Sequence, residues 1–562
     1  MKKYIIYGLA VLLSVTITSC SDILDVDPVD SFTDAAVWGD LALSESYLNS
    51  CYSRIKAGAE KGSRFDSFSE DIYQMHTYGT ENVRQGYLSP DNSSFGWEQD
   101  MWNPWDYYYG CIKEVNLFLQ HINSVPAPTS EDIEWRNELR GQGYFLRAYF
   151  YNQLFFFYGR IPIITKVYAL DTKEYNETRA SLDDVANFIV TDCDSAAALL
   201  PLEYSDASDF GRATQGAALT LKGRTLLFDA SPLCDDHYPT KAKWERASEA
   251  NKAVIDLNYY SLPSVSNADD YAALFLNSKN PEIIFEKMYD TKWVAGSNNV
   301  FLHQAPSGTG NGFGGWGTLQ PTNNLVNKFQ MSDGTDYVPG ASNVYPWANR
   351  DLRLYATVFL DGDEWGYGDD HRQVEFFVAG ESGVNPGKDS REGPAWWNST
   401  QTGFGMKKFL NPKWDAYGTT ANTTPWIFMR LAEVYLNYAE CQMELGFTDE
   451  ALKYINLVRE RALMPKAKGV NLRKEYEYER EIELVFEEQR WFDIRRWKQA
   501  EDIYKIPLEG MDIKLFKDGS KTYEVKPEPV ETRTFYAPKN YWMPVPRSEL
   551  RKAPKLDALP YE

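Results

Sequence analysis

The sequence predicts a mainly α fold: tetratricopeptide-like helical repeats interrupted by a large loop-rich irregular insertion. Two observations carry that prediction. Apolar residues recur at helical spacing in adjacent pairs of segments, and the pair Leu431–Leu463 has about the length of one tetratricopeptide repeat. Residues 261–425 break that rhythm with glycine, asparagine and aromatic clusters. The length of 562 residues demands several domains or one long array, and 43% hydrophobic content is ample for its core.

The first segment, 1–19, is a targeting peptide. Lys2 and Lys3 precede an apolar run too short to span a bilayer comfortably. Ile17-Thr18-Ser19-Cys20 then resembles a bacterial lipobox, in which cleavage exposes Cys20 for acylation and multiple chains anchor the protein stably. The tether 20–35 is rich in Asp and Pro and resembles an export tag of surface lipoproteins. The remaining cysteines, Cys51, Cys111, Cys193, Cys234 and Cys441, are widely spaced, without a CxxC or Cys/His cluster. They are expected as small buried hydrophobes, not as disulfides or a zinc site.

Residues 36–260 are expected to form N-terminal helical repeats. A first helix is predicted from about Thr33 to Ile55. The aromatic loop region 58–104 follows, and its many rings argue against disorder. Glu138–Ile164 is apolar nearly all round and predicts a buried helix ended by Gly159 and Pro162. Ser181 and Asp184 form a capping box for a helix to Leu200, and Thr214–Phe228 with Lys243–Leu257 gives another pair. Within 261–425, the insertion expected to bind ligand, Ile283–Phe285 and Val374–Val378 read as short strands. The C-terminal repeat helices occupy 426–500, with Gly446 as a C-cap and Thr448 as an N-cap. Residues 501–562 are expected to be extended.

Charge narrows the function. The formal charge of -22 repels phosphate backbones, so no nucleic-acid partner is expected. Five His leave little material for a His-rich metal site, and neither metal nor cofactor is expected. The acidic turn Asp361–Asp370 has oxygen ligands suited to Ca2+ but no EF-hand pattern, and it reads as a solvated turn. Gly308–Gly317 lacks the Lys-Ser/Thr ending of a phosphate loop. Glu483, Glu487, Glu488 and Asp493 alternate with Arg490, Arg495 and Arg496 on one expected helix. That pattern predicts ion pairs such as Glu487 with Arg490, not a glycosidase carboxylate pair.

Several motifs, in order, carry a family resemblance. They include FLRAYFYNQLFFFYGRIPII at Phe145–Ile164, PTNNLVNKFQMSDG at Pro321–Gly334, NRDLRL at Asn349–Leu354 and TGFGMKKF at Thr402–Phe409. RLAEVYLNYAE at Arg430–Glu440, INLVRERA at Ile455–Ala462, the Glu/Arg/Trp-rich stretch Glu479–Trp497 and MPVPRSEL at Met543–Leu550 complete them. With the lipobox, the chain resembles the SusD/RagB-like outer-membrane lipoproteins. The resemblance implies a surface-exposed, lipid-anchored protein that binds an oligosaccharide and docks on a SusC-like TonB-dependent transporter. It implies no enzymatic activity. Peptide cargo and, more remotely, glycoside hydrolysis are the alternatives.

Sugar recognition needs exposed flat rings for pyranose C–H faces, beside planar polar groups for hydroxyls. The 17 Trp and 37 Tyr offer such rings on three loops. Candidate ligand residues are Tyr73, Trp97, Trp102 and Asn103 in the first, Phe313 and Trp316 in the second, and Trp396 in the third. Trp105 has helical spacing to Tyr109 and Ile112 and is expected in the core.

Overall fold

The structure is a computed structural model, and it describes residues 34–58, 65–77, 79–95, 103–169, 172, 175–278, 280–289, 304–306, 315–340, 345–366, 371–413, 422–557, 559 and 561. Cys20, Trp97, Trp102 and Phe313 lie outside them. The fold is mainly α, as expected.

Helix α1 spans Leu41–Ser53, and a short turn of helix at Asp34–Val37 precedes it. The single helix predicted over this region is split because Asp40 is extended and its side chain caps the Leu43 N–H. Helix α2 is Pro104–His121 and α3 is Ser130–Tyr158. Helix α3 starts earlier than its apolar stretch suggests. Thr129 and Asp132 close a capping box there, while the exposed first turns are polar. It ends at Gly159, whose φ of 64° suits glycine. Helices α4 (Leu182–Ala197), α5 (Gln215–Ala230) and α6 (Lys241–Asp256) continue the array. Ser181 caps α4 through the Asp184 N–H, as predicted.

Helix α7 is Leu431–Glu444 and α8 is Thr448–Arg461. Each helix from α2 to α6 packs on the next, and α6 packs directly on α7. The array therefore continues across the insertion. Gln442 donates to the Ser248 hydroxyl at 2.7 Å, and Arg224 grips Glu433 through two nitrogens at that junction. Gly446 takes φ 83° after α7. Thr448 is the first residue inside α8, not its cap; Phe447 stands in the cap position without a side-chain bond.

The insertion leaves and returns through one neck. Strand β1 is Ile72–Gln74, β2 is Ile283–Lys287, β3 is Leu319–Pro321 and β4 is Trp426–Arg430. Strands β2 and β4 pair antiparallel, from Ile283 opposite Arg430 to Lys287 opposite Trp426. The strand predicted at Val374–Val378 is reduced to Arg372–Gln373 and Val378–Ala379.

The stretch Glu479–Trp497 is two helices, α9 (Leu472–Glu483) and α10 (Arg490–Arg496), not one. Phe486 and Glu488 have φ of 63° and 62°, which no helix accommodates. Its charges pair both within the stretch, where Asp493 accepts from Arg480 and, at i,i+3, from Arg496, and outward to distant segments. Glu487 accepts from Arg430 and Lys408, and Arg490 reaches Glu70, so the predicted Glu487–Arg490 pair does not form. Arg430 also holds Glu282 and Glu483, each at 2.7 Å. Arg461 joins the same two glutamates, and Arg353 links Glu483 with Glu479 and Asp351. One buried ionic network thus ties the neck, the insertion, α8 and α9 together. Such groups tolerate burial only because each carboxylate meets several guanidinium donors.

The C-terminal region contains a hairpin of β5 (Met511–Leu515) and β6 (Lys521–Val525), and helix α11 (Arg547–Lys552). All five described cysteines are buried thiols. Trp105 is 4% exposed, in the core as expected.

Candidate functional site

Two of the three aromatic loops meet at the ribbon formed by β1 and β3. The strands pair antiparallel, with Tyr73 opposite Gln320. Strand alternation buries Ile72 and Gln74 and leaves Tyr73 half-buried on the other face. The ribbon is fastened at both ends: the Met75 N–H donates to Thr318 O at 2.8 Å, and the Thr322 N–H to Asp71 O at 2.9 Å.

Gln320 pins the third loop to this ribbon. Its side chain is buried, its Nε2 donates to Gly317 O at 2.7 Å and its Oε1 accepts from the Gln401 N–H at 2.7 Å. One turn of 3-10 helix, Trp396–Asn398, stands just before that anchor. His76 Nε2 and Asn398 Oδ1 meet at 3.0 Å. Gly317, with φ 51°, passes so close that a Cβ there would lie 2.5 Å from Asn398 O. Only glycine fits both the backbone and the space. The glycine-rich run is therefore tied at its end to the tryptophan loop, and Trp316, half-buried, is carried there with it.

Trp396 and Trp397 are 59% and 52% exposed, although both belong to an ordered turn. Their rings stand edge to face, 6.0 Å between centroids at 83°. Large rings held out in solvent beside amide and imidazole groups can stack on an apolar ligand face while the polar groups take hydrogen bonds. The sequence marks Trp396 and Trp397 as a pair on the loop Trp396–Asn398, whereas nothing in it marks His76. His76 is placed by the β1–β3 register.

The structure thus brings Tyr73, Trp316 and Trp396 onto connected segments. Asn103 does different work: its Oδ1 accepts from the Trp105 N–H at 3.1 Å and its Nδ2 donates to Asp106 at 3.1 Å, capping α2. Much of the first aromatic loop is core. Phe65, Phe68 and Phe95 are buried, and all three rings pack against Trp491.

The carboxylate clusters are arranged for structure. Burial alone would raise the Glu483 carboxyl, but Arg461, Arg430 and Arg353 hold it well below the usual range. Glu70, Asp71 and Glu481 lie close enough to share a cation, yet Lys328 and Arg490 already stand among them as counter-charges. Asp361, expected in a solvated turn, is buried; it accepts from the Phe376 N–H at 2.8 Å and pairs with Lys521 at 2.5 Å.

Comparison with known proteins places this architecture. A family model described as the SusD family matches residues 281–561, and one described as "Starch-binding associating with outer membrane" matches residues 22–227. SusD-like protein P38 of Formosa agariphila is 23% identical, over 91% of this chain and 95% of its own. SusD-like protein P2 of the same organism is 24% identical, over 98% and 97%. A crystal structure of a SusD-like protein from Bacteroides fragilis superposes with a TM-score of 0.78 at 25% identity, covering 95% of this chain and all 100% of that one. A SusD-like carbohydrate binding protein from the same species gives 0.75 at 24% identity, covering 92% and 99%.

Proposed function

The chain belongs to the SusD family, and on that premise we propose that it is a cell-surface lipoprotein that captures oligosaccharides and hands them to a SusC-like TonB-dependent transporter. Cys20 carries the lipid anchor at the outer membrane. The observation that carries the binding reading is the exposed Trp396–Trp397 pair on a turn locked by Gln320 and the His76–Asn398 contact. Stacking on the rings retains the sugar, while Tyr73, Trp316 and Asn398 complete the surface. Trp97, Trp102 and Phe313 are assigned to the same ligand from the sequence alone. The relatives support the ligand class: one family description reads starch-binding, and one similar structure is a carbohydrate binding protein.

The protein binds sugar without cleaving it. Glu483 and Glu487 sit in the ionic network, against several cations and away from solvent. A glycosidase needs one acid with a raised pKa and one ionised partner in a cleft.

The test is native gel electrophoresis through gels containing starch, xylan or other neutral polysaccharides. A polysaccharide retards the wild-type protein, and the Trp396→Ala/Trp397→Ala variant runs unretarded. Equal retardation of both would overturn the site. Oligosaccharide products on chromatography after prolonged incubation would overturn the non-enzymatic assignment.

A further inference from the structure

A cavity of about 450 Å3 opens between α2, the segment following α3, and α11. Its volume lies within the range of about 300–1,000 Å3 common to small-molecule sites. None of Tyr73, His76, Trp316, Trp396 or Trp397 lines it.

The half-buried Tyr109, Tyr168 and Tyr175 form its apolar surface, and Trp105 backs them from the core. Trp105 and Tyr109, one turn apart on α2, lie 4.9 Å between centroids. Tyr168 and Tyr175 meet edge to face at 4.7 Å. The C-terminal side is fixed in place: the Tyr175 N–H donates to Lys552 O at 2.9 Å, and Arg179 donates to Asp557 O at 2.8 Å.

The polar lining is balanced, with Asp106, Glu177 and Glu549 against Lys113, Lys166 and Lys552. Lys552 pairs with Glu549 at 2.6 Å and Lys166 with Glu177 at 3.3 Å. Asp106 and Lys113 remain, about 10 Å apart along one face of α2. Asn103 orients Asp106 through its Nδ2.

These properties select a ligand class. A singly charged ligand would pair with either Asp106 or Lys113 and leave the other without a counter-charge. An apolar ligand would strip water from charged side chains without replacing their hydrogen bonds. A neutral polyhydroxylated ring meets both kinds of surface, because its C–H faces lie on aromatic rings and its hydroxyls both donate and accept. We infer that this cavity is a second saccharide site, sized for a mono- or disaccharide and separate from the tryptophan pair. The choice of ligand class rests on the glycan-binding reading above; the site itself rests on the cavity.

The experiment titrates the full chain with maltose, cellobiose and lactose and soaks its crystals with the same sugars. A sugar is expected in density against Tyr109 and Tyr175. Tyr175→Ala, which keeps the backbone bond to Lys552, should weaken that site about tenfold, the loss of one ring contact. Ala169→Trp, at an exposed lining position, should close it without touching the core. Both variants should keep their wild-type melting temperature and their retardation in polysaccharide gels. An empty cavity in every soak, or unchanged titrations in both variants, overturns the second site and leaves the tryptophan reading standing. A cavity holding sugar while Trp396→Ala/Trp397→Ala changes nothing sinks the tryptophan reading instead. Glycylglycine displacing every sugar from the cavity overturns the saccharide assignment.

Discussion

His76 and Asn398 are 322 positions apart in the chain and meet at 3.0 Å between Nε2 and Oδ1. The contact joins the end of the β1 segment to the turn carrying Trp396 and Trp397, so orienting the rings depends on a residue from another loop. His76→Ala should leave the fold intact, because the site is half-buried and the ribbon has its own backbone bonds. It should weaken polysaccharide retention several-fold, less than loss of a ring. Native affinity electrophoresis beside a thermal melt separates the two effects.

Removing one ring tests stacking directly. Trp396→Ala and Trp397→Ala should each cost about 1 kcal/mol of binding, close to a factor of five to ten, with little change in stability. Calorimetric titration with the oligosaccharide that retards the protein measures it. Equal affinities in wild type and both variants would remove the stacking role.

Gly317→Ala combines a left-handed backbone with a contact of 2.5 Å to Asn398 O. About 1–3 kcal/mol of strain is expected at such a position. The loop should relieve it by moving the tryptophan turn, so binding should fall together with the melting temperature. A variant that binds and melts like the wild type would show that the close approach is unimportant.

The ionic network should fail when a single partner is lost. Arg430→Met leaves Glu282, Glu483 and Glu487 buried with fewer counter-charges. The expected loss is about 3–5 kcal/mol, the scale for breaking a buried pair from one side. Urea unfolding followed by tryptophan fluorescence is the measurement, and a change under about 1 kcal/mol would contradict the network's structural role.

Acid should unfold the protein through the same kind of group. Glu440 is buried, which alone would raise its carboxyl, but Arg496, Arg473 and Arg480 bring it down to about 2 from an ordinary 4.5. A depressed folded pKa means stability that is fully present above about pH 4.5 and lost as pH falls toward 2. The shift corresponds to about 3 kcal/mol for this one group. Stability measured from pH 7 downward should hold to about 4.5 and then fall, and Glu440→Gln should flatten that fall while lowering stability at neutral pH.

The helical array was legible because its signals are local. The Ser181 cap, the Gly159 stop and the Gly446 turn each lie within four residues of the helix end they fix. Expectation and structure part where a side chain has a different partner from the one its spacing suggests. The Glu487–Arg490 spacing is correct for a helix pair, yet Phe486 and Glu488 break that helix and Arg430 and Glu70 claim the charges. Asn103 looked like a sugar-binding amide beside a tryptophan, and its carboxamide is committed to the start of α2.

Periodicity and capping residues determined the helical repeats, and motif order determined the family, because both are written in residues near one another along the chain. Which aromatics face solvent was decided by the tertiary structure. Phe65, Phe68 and Phe95 come from the same kind of glycine- and serine-rich loop as Trp396, yet they are buried against Trp491. Both loops are rich in small polar residues, so composition does not separate the two cases. The difference lies in which surface lies opposite each ring: α10 covers the phenylalanines, whereas the Gln320 anchor and the His76–Asn398 contact hold the tryptophan turn out into water.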